Sequence, residues 1–413
     1  MYRRNIEEHL SAALADTPVV LLNGARQTGK STLVQRLAGA LGGRYLTLDD
    51  AATLAGASRD PQGFIEGIGD KVVIDEVQKV PGLFPAIKLQ VDRDRRPGRF
   101  LLTGSANIFM LPRLAESLAG RVEVLSLWPL SRGELLNRRE RFIDGLFAPK
   151  PPALSKGNSS GNDLPEKILT GGFPEAVART ESHRRQDWFA SYITTILQRD
   201  IRDLAHIEGL TDMPHLLALL AARSGGLLNM SELSRSSGIT HTTLRRYLTL
   251  LETTFLLQPL PAWSTNIGKR LVKSPKAYLI DSGMAAHLTG QTDPKSLRAS
   301  SLYGHLLETF VVMELRKQAA WNETRVRFHH FRTAAGREVD IVLEDPRGQV
   351  VGVEVKASAS VQERDFAGLE TLAEAAGRKF LNGIVLYTGD TVVPFGRRLW
   401  ALPVSALWRM SAG

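Results

Sequence analysis

The chain has 413 residues, of which 43% are hydrophobic and 23% charged, as in soluble globular proteins of two or three domains. The absence of cysteine excludes disulfides, thiolate metal sites and thiol nucleophiles. The net charge of +9 favours a polyanionic partner such as DNA or RNA. The N-terminus is a charged amphipathic segment rather than a secretion signal, and no apolar run approaches the roughly 20 residues that span a bilayer. We therefore expect a cytoplasmic protein without a membrane partner.

Residues 24–31 read GARQTGKS, the pattern of a phosphate-binding loop. An apolar strand over 19–22 enters this loop and a helical pattern over 32–41 leaves it, a context that an ordinary glycine-rich turn lacks. Lys30 can reach the β- and γ-phosphates, and the Ser31 hydroxyl can hold Mg²⁺. We predict that ATP contacts the loop and the first helical turn, through Gly24, Ala25, Arg26, Gln27, Thr28, Gly29, Lys30, Ser31 and Thr32.

The segment 71–77, KVVIDEV, is predicted to be a strand that delivers two acids at its end. Beside a phosphate-binding loop, Asp75 would support Mg²⁺ and Glu76 would polarise the attacking water. Many core strands end in solvated acids, and this is the alternative interpretation. The loop upstream favours the catalytic one.

A third strand, over 99–103, runs into small polar residues. We predict that Thr103 and Ser105 sense the γ-phosphate, the alternative being a plain polar turn. The segment LAGR follows at 118–121, and we predict that Arg121 acts in trans on the nucleotide of a neighbouring subunit. A solvated surface arginine is the alternative.

Apolar strands alternate with helical stretches through the first part of the chain, which predicts an α/β fold with a parallel sheet and helices on both faces. We assign residues 1–140 to an ATPase core of this kind. Residues 141–163, rich in charge, proline, glycine and serine, are predicted to be a flexible insertion or linker. A helical lid or connector is predicted over 164–209.

Residues 210–285 contain three helical patterns followed by a strand-like segment, the layout of a winged helix-turn-helix. Its third helix, HTTLRRYLTLLE, offers Thr242, Thr243, Arg245 and Arg246 for contact with DNA bases or phosphates. Such a fold also serves as a protein–protein module, and that alternative stays open here.

Residues 286–413 give a helix, three strands, a helix and a strand. Asp340 lies within the second strand, Glu354 and Lys356 share one face of the third, and Glu308 lies on the leading helix. Such acids can converge on Mg²⁺ or Mn²⁺, with Lys356 orienting a water for attack on a phosphodiester. A buried salt bridge explains Glu354 and Lys356 but not the two further acids. A metal-binding, nuclease-type domain is therefore predicted, with cleavage left open.

With these motifs the chain resembles a family of bacterial and archaeal AAA-type ATPases whose C-terminal domain has long had no assigned function. The matching segments are GARQTGKSTL, VVIDEVQ, LLTGS, LAGR, GGFPEAV, YITTILQRDI, YLIDSG, GHLLE and EVDIVLE with VEVKAS. The resemblance implies an AAA core, a winged helix and a restriction-endonuclease-like PD-(D/E)xK domain. By position, Asp340, Glu354 and Lys356 match its D…ExK motif, with Glu308 on the helix that precedes it. The polar insert near 137–163 departs from the family pattern.

The combined expectation is an ATP-hydrolysing protein that binds DNA and assembles into a ring-like oligomer such as a hexamer. The assembly rests on a fold-level likeness to replication-initiator and branch-migration ATPases. A second interpretation is an ATP-gated switch whose C-terminal domain is a silent platform for DNA or protein. A third is a nuclease that the ATPase loads or licenses.

Overall fold

The computed structural model describes residues 2–107, 119–148, 163–202, 211–266 and 273–410. They form two compact units. The N-terminal unit comprises Met1–Leu130 and Thr249–Leu256, and the C-terminal unit comprises Ser131–Leu248 and Leu257–Gly413. Each unit is described by itself.

The N-terminal unit alternates helices and strands along the chain. Its helices are α1 (Glu7–Asp16), α2 (Lys30–Leu41), α3 (Ala51–Arg59), α4 (Pro61–Ile68) and α5 (Leu83–Arg93), with a 3₁₀ turn at Val77–Lys79. Its strands are β1 (Val19–Asn23), β2 (Arg44–Thr47), β3 (Val72–Asp75), β4 (Phe100–Gly104) and β5 (Val122–Ser126).

The five strands form one parallel sheet in the order β2-β3-β4-β1-β5. All residues of β1, β3 and β4 are buried, as expected for strands covered on both faces. One face packs against Phe84 and Ile87 of α5 in a continuous apolar core. This confirms the predicted α/β fold, and it brings the carboxyl ends of β1, β3 and β4 to one edge.

The first part of the C-terminal unit is helical. Its helices are α6 (Arg132–Leu135), α7 (Phe142–Phe147), α8 (Leu164–Thr170), α9 (Pro174–Val177), α10 (Ser182–Thr195), which continues as a π-helix over Ile196–Ile201, α11 (Met213–Ala222) and α12 (Met230–Ser237). Helix α13 (His241–Thr253) follows, with its last residues in the N-terminal unit. Two antiparallel strands come next, β6 (Leu257–Leu260) and β7 (Lys276–Leu279).

The remaining elements surround a mixed six-stranded sheet with the order β12-β13-β11-β10-β9-β8. Its strands are β8 (Arg327–Arg332), β9 (Glu338–Glu344), β10 (Val350–Lys356), β11 (Phe380–Tyr387), β12 (Val393–Pro394) and β13 (Leu399–Pro403). Its helices are α14 (Ser282–Leu288), α15 (Pro294–Ala299), α16 (Tyr303–Ala319), α17 (Ala367–Ala376) and α18 (Ala406–Arg409), with 3₁₀ turns at Glu363–Phe366 and Gly377–Lys379. The predicted order of helix, three strands, helix and strand is present, and β12 and β13 extend it.

One local feature differs from the sequence-based expectation. The segment predicted as a flexible linker from residue 141 begins with α7, whose Phe142, Ile143 and Leu146 are buried, because three large apolar residues outweigh the surrounding charge. Residues 149–162 of that segment lie outside the described residues. The first segment of the N-terminal unit runs to Leu130, and the predicted domain boundaries stay predictions.

Candidate functional site

The phosphate-binding loop connects the end of β1 to the start of α2, and it passes close to the neighbouring backbone. Gly24 has φ +149°, and a Cβ atom there would lie 2.2 Å from the Leu127 carbonyl oxygen. Gly29 caps α2 in the left-handed region, with φ +94°. Both glycines are thus required by the backbone path, and the loop delivers Lys30 at the first position of the helix.

The Lys30 side chain lies inside the loop. It is 4% exposed, and its ammonium donates to the carbonyl oxygens of Gly24 and Ala25, each at 2.8 Å. The Thr28 hydroxyl also donates to the Ala25 oxygen, at 3.0 Å. A phosphate bound in the loop would replace these carbonyl oxygens as the acceptor of hydrogen bonds from the buried Lys30 ammonium.

Arg4, a residue that the sequence did not single out, holds the outer side of the loop. Its guanidinium is buried and donates to the carbonyl oxygens of Thr28 and Trp128, both at 2.7 Å. Planar, rigidly spaced donors suit two acceptors from separate segments. In the sequence Arg4 is one charge in an amphipathic N-terminal segment, so no local pattern indicates this role.

Asp75 and Glu76 follow β3 at the same edge, beside the end of β4. Glu76 adopts the left-handed region with φ +61°, a backbone conformation that is uncommon for a residue other than glycine. Its backbone N–H donates to the Thr103 hydroxyl at 3.0 Å, and that hydroxyl donates to the Asp75 carboxylate. One fully buried hydroxyl therefore contacts both the Asp75 carboxylate and the Glu76 backbone. The role predicted for Thr103 as a phosphate sensor stays a prediction.

The Glu76 carboxylate is held by two neutral donors. The Ser105 hydroxyl donates to its Oε2 at 2.9 Å and the Gln78 amide to the same atom at 2.5 Å. The Arg26 guanidinium of the phosphate-binding loop lies 4.0 Å away. Ser105 was predicted to sense the γ-phosphate, and that role stays a prediction. Gln78 was missed, since it lies in a turn that carries no periodic signal. The arrangement can orient a water beside a bound phosphate.

Tyr45 on β2 completes the surroundings of Asp75. Its hydroxyl donates to Asp75 Oδ2 at 2.7 Å. Burial, together with the neighbouring carboxylate, raises the pKa of Tyr45 to about 12. The tyrosine therefore stays a neutral donor to Asp75 at physiological pH.

Arg121 lies at the surface of the N-terminal unit, at the start of β5. It makes a bidentate pair with Asp92 of α5, with N···O distances of 2.5 and 3.0 Å, and its guanidinium lowers the pKa of the Asp92 carboxyl. Its predicted action on a neighbouring subunit stays a prediction, and it requires Arg121 to exchange this partner for a phosphate.

Helices α11, α12 and α13 and the pair β6–β7 form the segment predicted to be a winged helix. Asn229 caps α12, since its side chain accepts from the Glu232 N–H at 3.1 Å. The Thr240 hydroxyl accepts from the Thr243 N–H at the start of α13. The candidate DNA contacts lie along the first turns of α13. Thr242, Arg245 and Arg246 are exposed there and Thr243 is half-buried.

Two of the acids predicted for the C-terminal unit, Glu308 and Asp340, contact the same lysine. The Lys276 ammonium, on β7, lies 2.9 Å from Glu308 Oε1, 2.6 Å from Glu338 Oε1 and 2.9 Å from Asp340 Oδ1. We call Glu308, Glu338, Asp340 and Glu354, with Lys276, the acidic cluster. Lys276 and Glu338 were not predicted from the sequence. Lys276 could not be, because β7 is far from the other strands along the chain.

The strand-to-strand contacts at the acidic cluster bring the predicted pair together. Asp340 Oδ2 accepts from the Val355 N–H at 3.0 Å, and Glu354 Oε2 accepts from the Asp340 N–H at 3.3 Å. Lys356 Nζ donates to Glu354 Oε1 at 2.8 Å, which is the salt bridge of the alternative interpretation of this pair. Side chains on β9 and β10 thus share one end of the sheet.

Burial and mutual repulsion shape the protonation of the acidic cluster. Burial and the Asp340 carboxylate raise the pKa of both Glu308 and Glu354 above the usual range. Burial lowers the pKa of Lys276, but the carboxylates of Asp340, Glu308 and Glu338 outweigh it and raise that pKa well above normal. The cluster therefore binds a positive charge strongly, and Lys276 supplies it.

Among the described residues, no group of three or more histidine, aspartate and glutamate side chains has the arrangement of a metal site. The acidic cluster does not fit Mg²⁺ or Mn²⁺ while Lys276 lies among its oxygens. A hard divalent ion needs several such oxygens at about 2.0–2.2 Å, and three of them already contact the ammonium.

The comparisons with known proteins agree with the N-terminal geometry. A family model described as an AAA domain matches residues 16–136, and two domains of unknown function match residues 161–295 (DUF8612) and 303–407 (DUF4143). Together with the phosphate-binding loop and the paired acids, this defines the class: an AAA-type P-loop ATPase that binds nucleotide.

Similar proteins have been found in several bacteria. Uncharacterized proteins of Mycobacterium tuberculosis and Mycobacterium bovis are each 34% identical over 363 residues, which cover 87% of this chain and 74% of theirs. The chain belongs to the same family as these mycobacterial proteins. An uncharacterized protein of Haemophilus influenzae is 24% identical over 331 residues, 73% of this chain and 74% of that protein.

Two solved structures can be aligned with part of the chain. A Walker-type ATPase of Pyrococcus abyssi gives a TM-score of 0.43 at 14% identity, over 70% of this chain and 96% of that one. The RuvB Holliday junction branch migration motor of Thermotoga maritima gives 0.28 at 20% identity, over 62% and 89%. At these scores neither likeness bears on function. Within the described part of the chain, no helix is long and apolar enough to cross a membrane.

Proposed function

We propose that this ATPase hydrolyses ATP at the edge formed by β1, β3 and β4 and uses the turnover to act on DNA as an oligomer. The observation that carries the proposal is the buried Thr103 hydroxyl, which joins Asp75 to Glu76 beside the phosphate-binding loop. Two acids held rigidly next to a phosphate site are what phosphoryl transfer to water requires.

Each residue at this edge has a separate task. The loop amides and Lys30 bind the phosphates, while Ser31 and Asp75 would hold Mg²⁺, which neutralises charge on the phosphate oxygens. Glu76 orients the attacking water, with Ser105 and Gln78 fixing its carboxylate. Arg26, 4.0 Å from Glu76, links the loop to the water-orienting group.

We propose further that turnover needs a second subunit, in a ring such as a hexamer. Arg121 is placed on the surface, where its pairing with Asp92 holds the guanidinium in a defined direction. Arg121→Ala should then abolish turnover and leave ATP binding intact. Normal hydrolysis by this variant would remove the trans role, and Arg184→Ala, an exposed arginine on α10 paired with Asp187, is the matched control.

The DNA contact is proposed for α13 of a winged-helix fold. The exposed side chains of Thr242, Arg245 and Arg246 line its first turns, and the net charge of +9 favours a phosphate backbone. ATP turnover should rise many-fold when DNA is added. Arg245→Ala with Arg246→Ala should lower DNA affinity without changing basal turnover. The slope of the logarithm of the binding constant against the logarithm of the salt concentration should also become shallower, by about one for each phosphate contact that the variant loses.

A second candidate function is the ATP-gated switch, with the C-terminal unit as a non-cleaving platform. The lysine contacts favour a non-cleaving C-terminal unit. Lys276 contacts Asp340 and Lys356 contacts Glu354, so both carboxylates of the D…ExK-like motif already have a cation as partner. The candidates can be separated by measuring ATP hydrolysis and strand cleavage with Mg²⁺ or Mn²⁺. The DNA added in these assays is linear, branched or single-stranded. A motor hydrolyses ATP faster on DNA, a switch does not, and a nuclease cuts strands in a manner that Glu354→Ala abolishes.

A further inference from the structure

The acidic cluster brings together four carboxylates from three elements of the C-terminal unit, and three of them surround one ammonium. Glu308 comes from α16, Glu338 and Asp340 from β9, and Glu354 from β10. The Lys276 side chain enters from β7 and is 3% exposed. An arrangement of this kind, acids from separate elements converging in a buried place, is otherwise stabilised by a divalent cation.

The Lys276 ammonium has no direction left for another ligand. A lysine ammonium carries three protons, and Nζ contacts three carboxylate oxygens, at 2.9, 2.6 and 2.9 Å. A divalent ion bound to the same oxygens would lie beside Nζ at a distance where two cations repel strongly. The lysine and the metal therefore exclude one another.

Lys276 is also held from behind. Its backbone pairs with Leu260 of β6 and forms a bridge to Leu227, so its Cα cannot retreat while these strands stay paired. The Tyr278 hydroxyl donates to Glu308 Oε1 at 2.6 Å, and a Cβ at Gly225 would lie 3.1 Å from the Glu308 carboxylate. Tyr278 and Gly225 therefore contact the acidic cluster at Glu308, the residue that α16 contributes.

From these contacts we infer that Lys276 takes the place that a divalent cation would need among these carboxylates, so that the C-terminal unit of the native chain binds no divalent metal at the acidic cluster and cuts no DNA there. Removing the ammonium frees these oxygens for a metal. This inference deepens the proposed platform role of the C-terminal unit and rests on it, while the ATPase assignment is independent of it.

The test measures Mn²⁺ binding to the full chain by electron paramagnetic resonance without nucleotide. It compares the wild type, Asp340→Asn, Lys276→Ala and the double variant Lys276→Ala/Asp340→Asn. The wild type and Asp340→Asn should bind Mn²⁺ equally. Lys276→Ala should gain one site, at least tenfold tighter than any weak background, and the added Asp340→Asn should remove it. Mn²⁺ should also raise the melting temperature of Lys276→Ala and not that of the wild type, because a ligand stabilises the folded state that binds it.

Two results would overturn the inference. One is Mn²⁺ bound by the wild type and lost in Asp340→Asn, which decides the question even where Lys276→Ala does not fold. The other is a folded Lys276→Ala that gains no site. ATP hydrolysis with and without DNA, measured on the same preparations, shows separately whether the proposed function holds.

Discussion

Replacing Arg4 by alanine removes the guanidinium that ties the phosphate-binding loop to the segment after β5. Two hydrogen bonds from a charged donor are lost, to Thr28 and Trp128, both at 2.7 Å and in a buried place. Such bonds are each worth about 1.5–3 kcal/mol, and water entering the gap recovers part of that. We therefore expect the free energy of opening the loop to fall by about 2–4 kcal/mol.

Hydrogen exchange of the loop amides measures this change directly, because local opening limits their exchange. A loss of about 2–4 kcal/mol corresponds to amide exchange faster by roughly 30- to 1,000-fold. Labelled ATP should also bind about tenfold more weakly, since 1.4 kcal/mol of lost preorganisation is enough for that. Arg4→Lys should recover little, because one ammonium cannot reach both carbonyls in the way that a guanidinium does.

Arg3→Ala is the matched control for the Arg4 variant. Arg3 is exposed and pairs with Glu8 at 3.1 Å, an interaction at the surface worth about 1 kcal/mol at most. Should Arg4→Ala exchange its loop amides and bind ATP like Arg3→Ala, the buried guanidinium would not organise the loop and the reasoning would be refuted.

Two further predictions concern single positions. Gly24→Ala should abolish ATP binding, because its Cβ would lie 2.2 Å from the Leu127 oxygen; Gly39→Ala, with open space around it on α2, should bind ATP normally and gain about 0.5–1 kcal/mol of stability. Equal ATP affinity of the two would contradict this. Burial, with Glu314 nearby, raises the pKa of Glu140 to about 8, so the folded state holds its proton more tightly and loses stability as pH rises from about 4.5 to 8. In Glu140→Gln, up to about 5 kcal/mol of that loss in the free energy of unfolding should be absent, as measured by urea unfolding at several pH values. A difference in stability between this variant and the wild type that does not change with pH would contradict the raised pKa of Glu140.

The parts of the fold that were predicted from the sequence are those with a strong local signal. The apolar strands of the N-terminal sheet alternate with helical stretches, and parallel strands buried on both faces leave continuous apolar runs such as VVLL. The loop GARQTGKS then locates β1 and α2. Because β3 and β4 follow as similar runs, the meeting of Asp75, Glu76, Thr103 and Ser105 at one edge could be anticipated.

The residues that were missed act through contacts distant in the sequence. Arg4 meets Trp128 across 124 positions and Lys276 meets Asp340 across 64. Nothing local distinguishes either from a solvated cation, since the pattern of a segment records burial and turns but not its partners. The position of α7 was missed for the opposite reason, because a short apolar stretch lay among charges that are typical of a linker.

ATP turnover by the wild type, Lys30→Ala and Glu76→Gln, measured alongside retention of labelled ATP, tests most directly whether the edge of β1, β3 and β4 is the hydrolytic site. The wild type should bind and split ATP, and Lys30→Ala should lose binding. Glu76→Gln should retain ATP while turnover falls by about 100-fold or more, because the water loses its orienting carboxylate. Wild-type protein that retains no ATP, or a Lys30→Ala variant that hydrolyses ATP at the wild-type rate, would contradict the account.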